Sequence, residues 1–197
     1  MKITKDSFKE EFKVFISETC LNLRKAHRTY KDDNAPSFFE LFENSNQFKQ
    51  DLTKAINPLI LNFIRGYIRV YKGVDVKNEK DKSDITYNKN DYEAKITYAE
   101  NNVIKSWTGS RYSSKTPKHI LIGYTINKET IDSLFIGVID LDQTTYTDWR
   151  SGVDYGNSAY ANLKIDRDDA NKMHILFGHK KPMRDNAINQ YFLTEKL

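Results

Sequence analysis

Ser83-Asp84-Ile85-Thr86-Tyr87-Asn88-Lys89-Asn90-Asp91-Tyr92-Glu93-Ala94-Lys95-Ile96-Thr97-Tyr98 is the stretch whose reading decides the fold. Two runs rich in β-branched and aromatic residues flank the polar tetrapeptide Asn88-Lys89-Asn90-Asp91, the pattern of a β-hairpin. Side chains alternate along a strand. Glu93 and Lys95 therefore share one face, while Tyr92, Ala94 and Ile96 point the other way, into an apolar layer. The hairpin brings Asp84 back beside Glu93. Two carboxylates and an ammonium are thus expected together on one face of an otherwise apolar strand pair.

Phosphodiester hydrolysis uses such a set. Carboxylates on adjacent strands can hold Mg²⁺, which keeps several waters and needs few protein ligands. The metal activates a water and offsets charge on the phosphate, and a neighbouring lysine positions that water. With Glu93-Ala94-Lys95 nine positions after Asp84, the stretch resembles the PD-(D/E)XK nuclease motif, in the form common among type II restriction endonucleases. Ser83 stands where the motif's name has proline. The resemblance implies Asp84 and Glu93 as metal ligands, Lys95 as the third catalytic residue, Mg²⁺ as cofactor and double-stranded DNA as substrate. The competing reading is an exposed hairpin on which Glu93 and Lys95 form a surface ion pair. The apolar pattern of the surrounding chain, which buries the hairpin's other face, favours the site.

The 197 residues suffice for one domain with a real core. Thirty-one Lys and Arg against 27 Asp and Glu give a net charge of +4, which favours an anionic partner. A single cysteine, Cys20, excludes an intrachain disulfide framework and a cysteine-based zinc site. The four histidines (27, 119, 174 and 179) show no ligand spacing. No signal peptide and no membrane-crossing run are seen, so a cytoplasmic location is expected.

Ser7-Phe8-Lys9-Glu10 reads as a capping box opening a helix that carries Phe8, Phe12, Phe15 and Ile16 on one stripe to about Tyr30. A loop at 31–36 and a short helix at 37–42 follow. Residues 46–71 show helical spacing, interrupted at Pro58 with Asn57 as its cap and ended by Gly73. Residues 74–82 form a charged connection. His119–Ile126 and Ser133–Asp140 are near-continuous apolar runs, expected as central strands with helices packed on them. Further on, 144–156 reads as loop, 159–165 as a strand and 173–177 as another.

The fold class expected is α/β: a mixed central sheet of about five strands flanked by helices, as in the restriction-endonuclease-like core that the resemblance implies. A single nuclease domain spans 1–197, with a helical part at about 6–72, a catalytic sheet core at about 83–140 and a C-terminal part at 141–197.

Two basic stretches are candidate DNA contacts. Residues 106–118 hold Trp107, Ser110, Arg111, Tyr112, Ser114 and Lys115 directly after the catalytic strand, and residues 178–186 hold Lys180, Lys181 and Arg184. Lysine, arginine and hydroxyl side chains contact phosphates, and Arg111 has the geometry to read guanine. The resembled family often completes its metal site with an acid from an early helix. Glu18, Glu40 and Glu43 are all available for that place. Cutting both strands of a palindrome calls for a homodimer. A structure-specific or repair nuclease with the same triad, and a non-catalytic nucleic-acid-binding module, are the rival functions.

Overall fold

In the computed structural model the decisive stretch is a hairpin at the edge of a mixed sheet. β1 (Ile85–Tyr87) pairs antiparallel with β2 (Asn90–Tyr98), Ile85 opposite Tyr92 and Tyr87 opposite Asn90. The return strand starts earlier than expected, because Asn90 and Asp91 pair with Tyr87 and Thr86 and are not turn residues. The structure describes residues 5–28, 53, 56–66, 84–87, 90–110, 118–127, 130–141, 146–151 and 159–197. The expected loop at 31–36, short helix at 37–42, Gly73 stop and charged connection at 74–82 lie outside them.

The fold is α/β around a mixed central sheet. β5 (Lys118–Asn127) runs parallel to β2 and antiparallel to β6 (Thr130–Asp140). The far side of β6 is shared: β12 (Glu195–Lys196) pairs with Ser133 and Leu134, and β9 (His174–Phe177) pairs with Ile136 to Val138. Six strands therefore fill five positions, in the order β1-β2-β5-β6 and then β12 or β9. The two apolar runs are central strands, as their lack of alternation requires.

Each face of the sheet has its own core. Tyr92, Ile96, Ile120, Ile122, Tyr124, Leu134 and Ile136 meet Phe8, Phe12 and Ile16 of α1 (Lys5–Arg28) and Ile56, Ile60 and Ile64 of α2 (residues 56–66). Residues 121, 135 and 139 of β5 and β6 point to the opposite face. They pack on Ile104 of β3 (Val103–Ile104), Trp107 of β4 (Trp107–Ser110), Leu163 of β8 (Ala159–Leu163), Ala170 of α3 (Arg167–Lys172) and Phe192 of β11 (Phe192–Leu193). Helices thus cover one face, while the other is covered mainly by short strands. β4 and β8 form a three-stranded sheet with β7 (Tyr146–Ser151), within the segment expected as loop. β3 and β11 form another with β10 (His179–Lys180).

Local chemistry accounts for the differences at element ends. Ser7 lies inside α1, which already includes Lys5; that residue ion-pairs with Glu195 at 2.5 Å and lies 5.3 Å from the Phe177 ring centroid, so docking on the sheet draws in an extra turn. Asn57 is helical and is no cap, its side-chain oxygen accepting a hydrogen bond from the Tyr124 hydroxyl at 3.0 Å. Pro58 sits within the helical run 56–66 and does not end it. Asn101 and Asn102, with φ of 49° and 64°, turn the chain between β2 and β3, a conformation that asparagine tolerates. No described helix is long and apolar enough to cross a membrane.

Candidate active site

The register of the hairpin carries Asp84 to a position opposite Glu93, since Ile85 is opposite Tyr92. Ile85 belongs to the helix-side core, so Asp84 falls on the same face as Glu93 and Lys95. Its Oδ2 accepts the backbone N–H of Ala94 at 2.9 Å. Lys95 Nζ donates to Glu93 Oε1 at 2.6 Å, with side chains only 12% and 16% exposed. These are not the exposures of a loose surface pair. Asp84, Glu93 and Lys95 are brought together as the sequence pattern requires.

Electrostatics agree with this proximity. Burial first, then the charge of Glu93, pushes the Asp84 carboxyl above the usual aspartate range; the Ala94 N–H, Lys95 and Arg65 pull the other way. Two anions held together at partial burial are a place where a cation lowers the energy. In the described contacts, one oxygen of each carboxylate receives a hydrogen bond, from Ala94 and from Lys95. Among the described residues no group of three or more His, Cys, Asp or Glu could hold a metal ion. The hairpin places two carboxylates together, Asp84 and Glu93, a pair that would suit a hard cation keeping most of its waters. Glu18 lies exposed on α1, where it borders a groove with Glu10, Glu11, Val14, Phe15 and Phe63 that neither Asp84 nor Glu93 lines. Glu40 and Glu43 lie outside the described residues.

Beside the triad, between α2 and the hairpin, lies a cleft of about 380 Å³. Asn57, Asn62 and Arg65 from α2 line it with Asp84, Lys95 and Thr108. Ala94 and Ile96 also border this cleft; Ala94 is buried and Ile96 packs against the helix-side core, as their alternation implied. Arg65 ties the helix to the hairpin: Nε donates to the Asp84 carbonyl at 2.8 Å, and a terminal nitrogen lies 3.9 Å from Asp84 Oδ1. Sequence reading missed Arg65. Its only signal was a cation flanked by the helix's apolar stripe at Ile60, Phe63 and Ile64. His119 was missed as well. It is in register with Glu93 on the parallel neighbour strand and 1% exposed.

The candidate DNA contacts divide. Trp107 is corrected: it is 1% exposed, its indole N–H donates to the Ile122 carbonyl at 2.8 Å, and it packs on Phe135 and Phe192. A side chain so placed fills the core and cannot stack on a base. Ser110 ends β4, opposite Tyr160. Arg111, Tyr112, Ser114 and Lys115 lie outside the described residues. Of the described residues on either side of them, Thr108 lines the cleft and Lys118 is in register with Tyr92.

Lys180 and Lys181 belong to the C-terminal part of the chain, and Lys180 lies on the β10–β11–β3 sheet. Lys180 Nζ donates to Asn171 Oδ1 at 2.9 Å, and the Lys181 backbone pairs with Tyr191. Arg184 is exposed, its carbonyl accepting from Arg167. None of these contacts involves the triad. Comparison with protein-family models, with curated proteins and with solved structures returned no match.

Proposed function

We propose that the protein is a Mg²⁺-dependent endonuclease of restriction type that hydrolyses phosphodiester bonds of double-stranded DNA at a short specific sequence. One observation carries this reading: Asp84, Glu93 and Lys95 converge on one face of an edge hairpin, next to an open cleft. The resemblance to the PD-(D/E)XK motif and the net positive charge add to it.

Asp84 and Glu93 would hold the divalent ion, which supplies a water of lowered pKa and positive charge against the phosphate. The protein's own share is geometric and electrostatic. The Ala94 N–H fixes the rotation of the Asp84 carboxylate, and the Lys95 ammonium orients that of Glu93. Lys95 lines the cleft, where it can hold the attacking water in line and offset charge that develops on the phosphate. Arg111 and Lys115 are assigned to the DNA backbone or a base edge, and Lys180, Lys181 and Arg184 to phosphates farther along. A palindromic site read on both strands calls for two copies of this chain related by a twofold axis.

The experiment is incubation of purified protein with unmethylated phage DNA and Mg²⁺, followed by sequencing of the ends. Discrete fragments with common ends support the reading. Products confined to junctions or flaps would reassign the site to a structure-specific nuclease, and metal-independent binding without any cutting would remove the enzyme.

A further inference from the structure

The polar side chains of the cleft, Asp84 apart, present hydrogen-bond donors. Asn62 uses its Oδ1 to accept from Arg65 at 3.3 Å, and arginine has no acceptor, so the oxygen is the amide atom turned to Arg65. Asn57 uses its Oδ1 to accept from the Tyr124 hydroxyl. Burial, with Tyr98 adding to it, holds that hydroxyl protonated well above the ordinary phenol range, so it stays the donor. In these two bonds each amide uses its oxygen, and its NH₂ group is a donor. Arg65 and Lys95 bring positive charge, and Thr108 a hydroxyl. The cleft is open to solvent and larger than a bound water would need.

Apart from Asp84 and the apolar Pro58, Leu61, Ala94 and Ile96, the cleft offers donors and two cations, each ion-paired with a carboxylate of the hairpin. These donors suit a ligand rich in acceptor oxygens and negative charge. We propose that this cleft is a phosphate subsite, in which Arg65 and Asn62 bind the backbone phosphate next to the bond that is cut. The identity of the ligand as a nucleic-acid phosphate rests on the nuclease reading above; the preference for an anion rests on the cleft alone. Arg65 is suited to a double task. Its Nε is committed to the Asp84 carbonyl, which fixes the guanidinium plane, while its terminal nitrogens lie between Asn62 and the Asp84 carboxylate at the cleft wall. A phosphate bound there would be placed against the same aspartate that the hairpin presents to the metal.

The test is binding of a fluorescent DNA duplex in EDTA, titrated over salt, for the wild type, Arg65→Gln and Asn62→Asp. Arg65→Gln should weaken binding about tenfold or more and reduce the salt slope by about one. Because Arg65 also ties α2 to the hairpin, that variant risks a folding defect, and Asn62→Asp separates the two roles. The new carboxylate keeps the acceptor that Arg65 uses and gives it a charged partner, so a purely structural role predicts unchanged or higher melting temperature and unchanged binding. A phosphate role predicts weaker binding, again about tenfold, in a protein that melts no lower than wild type. Wild-type affinity and slope in Asn62→Asp would overturn the subsite, as would a wild type that fails to bind the duplex at low salt. Cleavage is scored separately. A wild type that cuts DNA while the cleft variants bind normally leaves the nuclease reading standing without the subsite, whereas cleft variants that lose binding in a protein that never cuts leave the subsite without the nuclease.

Discussion

The backbone N–H of Ala94 donates to Asp84 Oδ2 at 2.9 Å, a contact that prolongs the hairpin pairing by side chain where the β1 ladder has ended. Through it the strand that carries Glu93 and Lys95 also dictates where the Asp84 carboxylate points. The hairpin is therefore a mounting for the site as well as part of the sheet.

Asp84→Asn should stabilise the metal-free protein at neutral pH. Asparagine keeps the acceptor for Ala94 and removes one of two repelling charges. The folded-state pKa of Asp84 is raised, so its contribution to stability is present below the unfolded pKa and is lost as pH rises through the folded pKa. At pH 7 the ionised group is a cost. Melting curves at pH 4 and pH 7 without metal should show the variant gaining on wild type at the higher pH only, and added Mg²⁺ should raise the wild type's melting temperature more than the variant's. A variant that melts lower at pH 7 would contradict this account of the site's electrostatics.

Trp107→Ala tests the reassignment of that residue to the core. Loss of a buried indole between Phe135 and Phe192 should cost about 3–5 kcal/mol, read as a lower urea midpoint. Trp107→Phe keeps the packing but loses the bond to Ile122, at a cost of about 1–3 kcal/mol, and should bind DNA as wild type does. A fully stable variant with weakened DNA binding would return Trp107 to the interface.

Glu195→Gln probes the tie between α1 and β12. The bond from Lys5, helped by the Gly178 N–H, holds the Glu195 carboxyl below the ordinary glutamate range. A depressed pKa contributes stability above the unfolded value and loses it as pH falls through the folded one. Both partners are about a third exposed or more, so solvent screening limits the effect to about 1 kcal/mol or less. The variant should therefore melt slightly lower than wild type at pH 7, with the gap closing on acidification and in high salt. A gap that persists at pH 3 would place the effect in packing.

The hairpin that gathers Asp84, Glu93 and Lys95, and the central strands, were legible because strand periodicity is local. Asp84, Glu93 and Lys95 needed only a hairpin and a two-residue repeat, and β5 and β6 needed only their unbroken apolar runs. The second layer was not legible. Trp107 and the hydroxyls around it read as a polar, DNA-seeking loop, yet the indole, bonded to Ile122 and packed on two phenyl rings, belongs to a strand at 107–110 and to the core. Arg65 was hidden for a related reason: its partner lies 19 positions away, and nothing in the spacing of α2 reports which strand end the helix will cross. Asn57 looked like a cap because asparagine before proline usually is one, but the long-range bond from Tyr124 overrides that preference.

The most direct measurement is metal-dependent cleavage of duplex DNA by the wild type and by Asp84→Ala, Glu93→Ala and Lys95→Ala, with folding checked by melting curves. Discrete fragments are expected from the wild type in Mg²⁺ or Mn²⁺. No cutting is expected in EDTA, binding with little cutting in Ca²⁺, and no cutting by any of the three folded variants. Cleavage at the wild-type rate by Lys95→Ala, or full wild-type activity in excess EDTA, would contradict the nuclease reading.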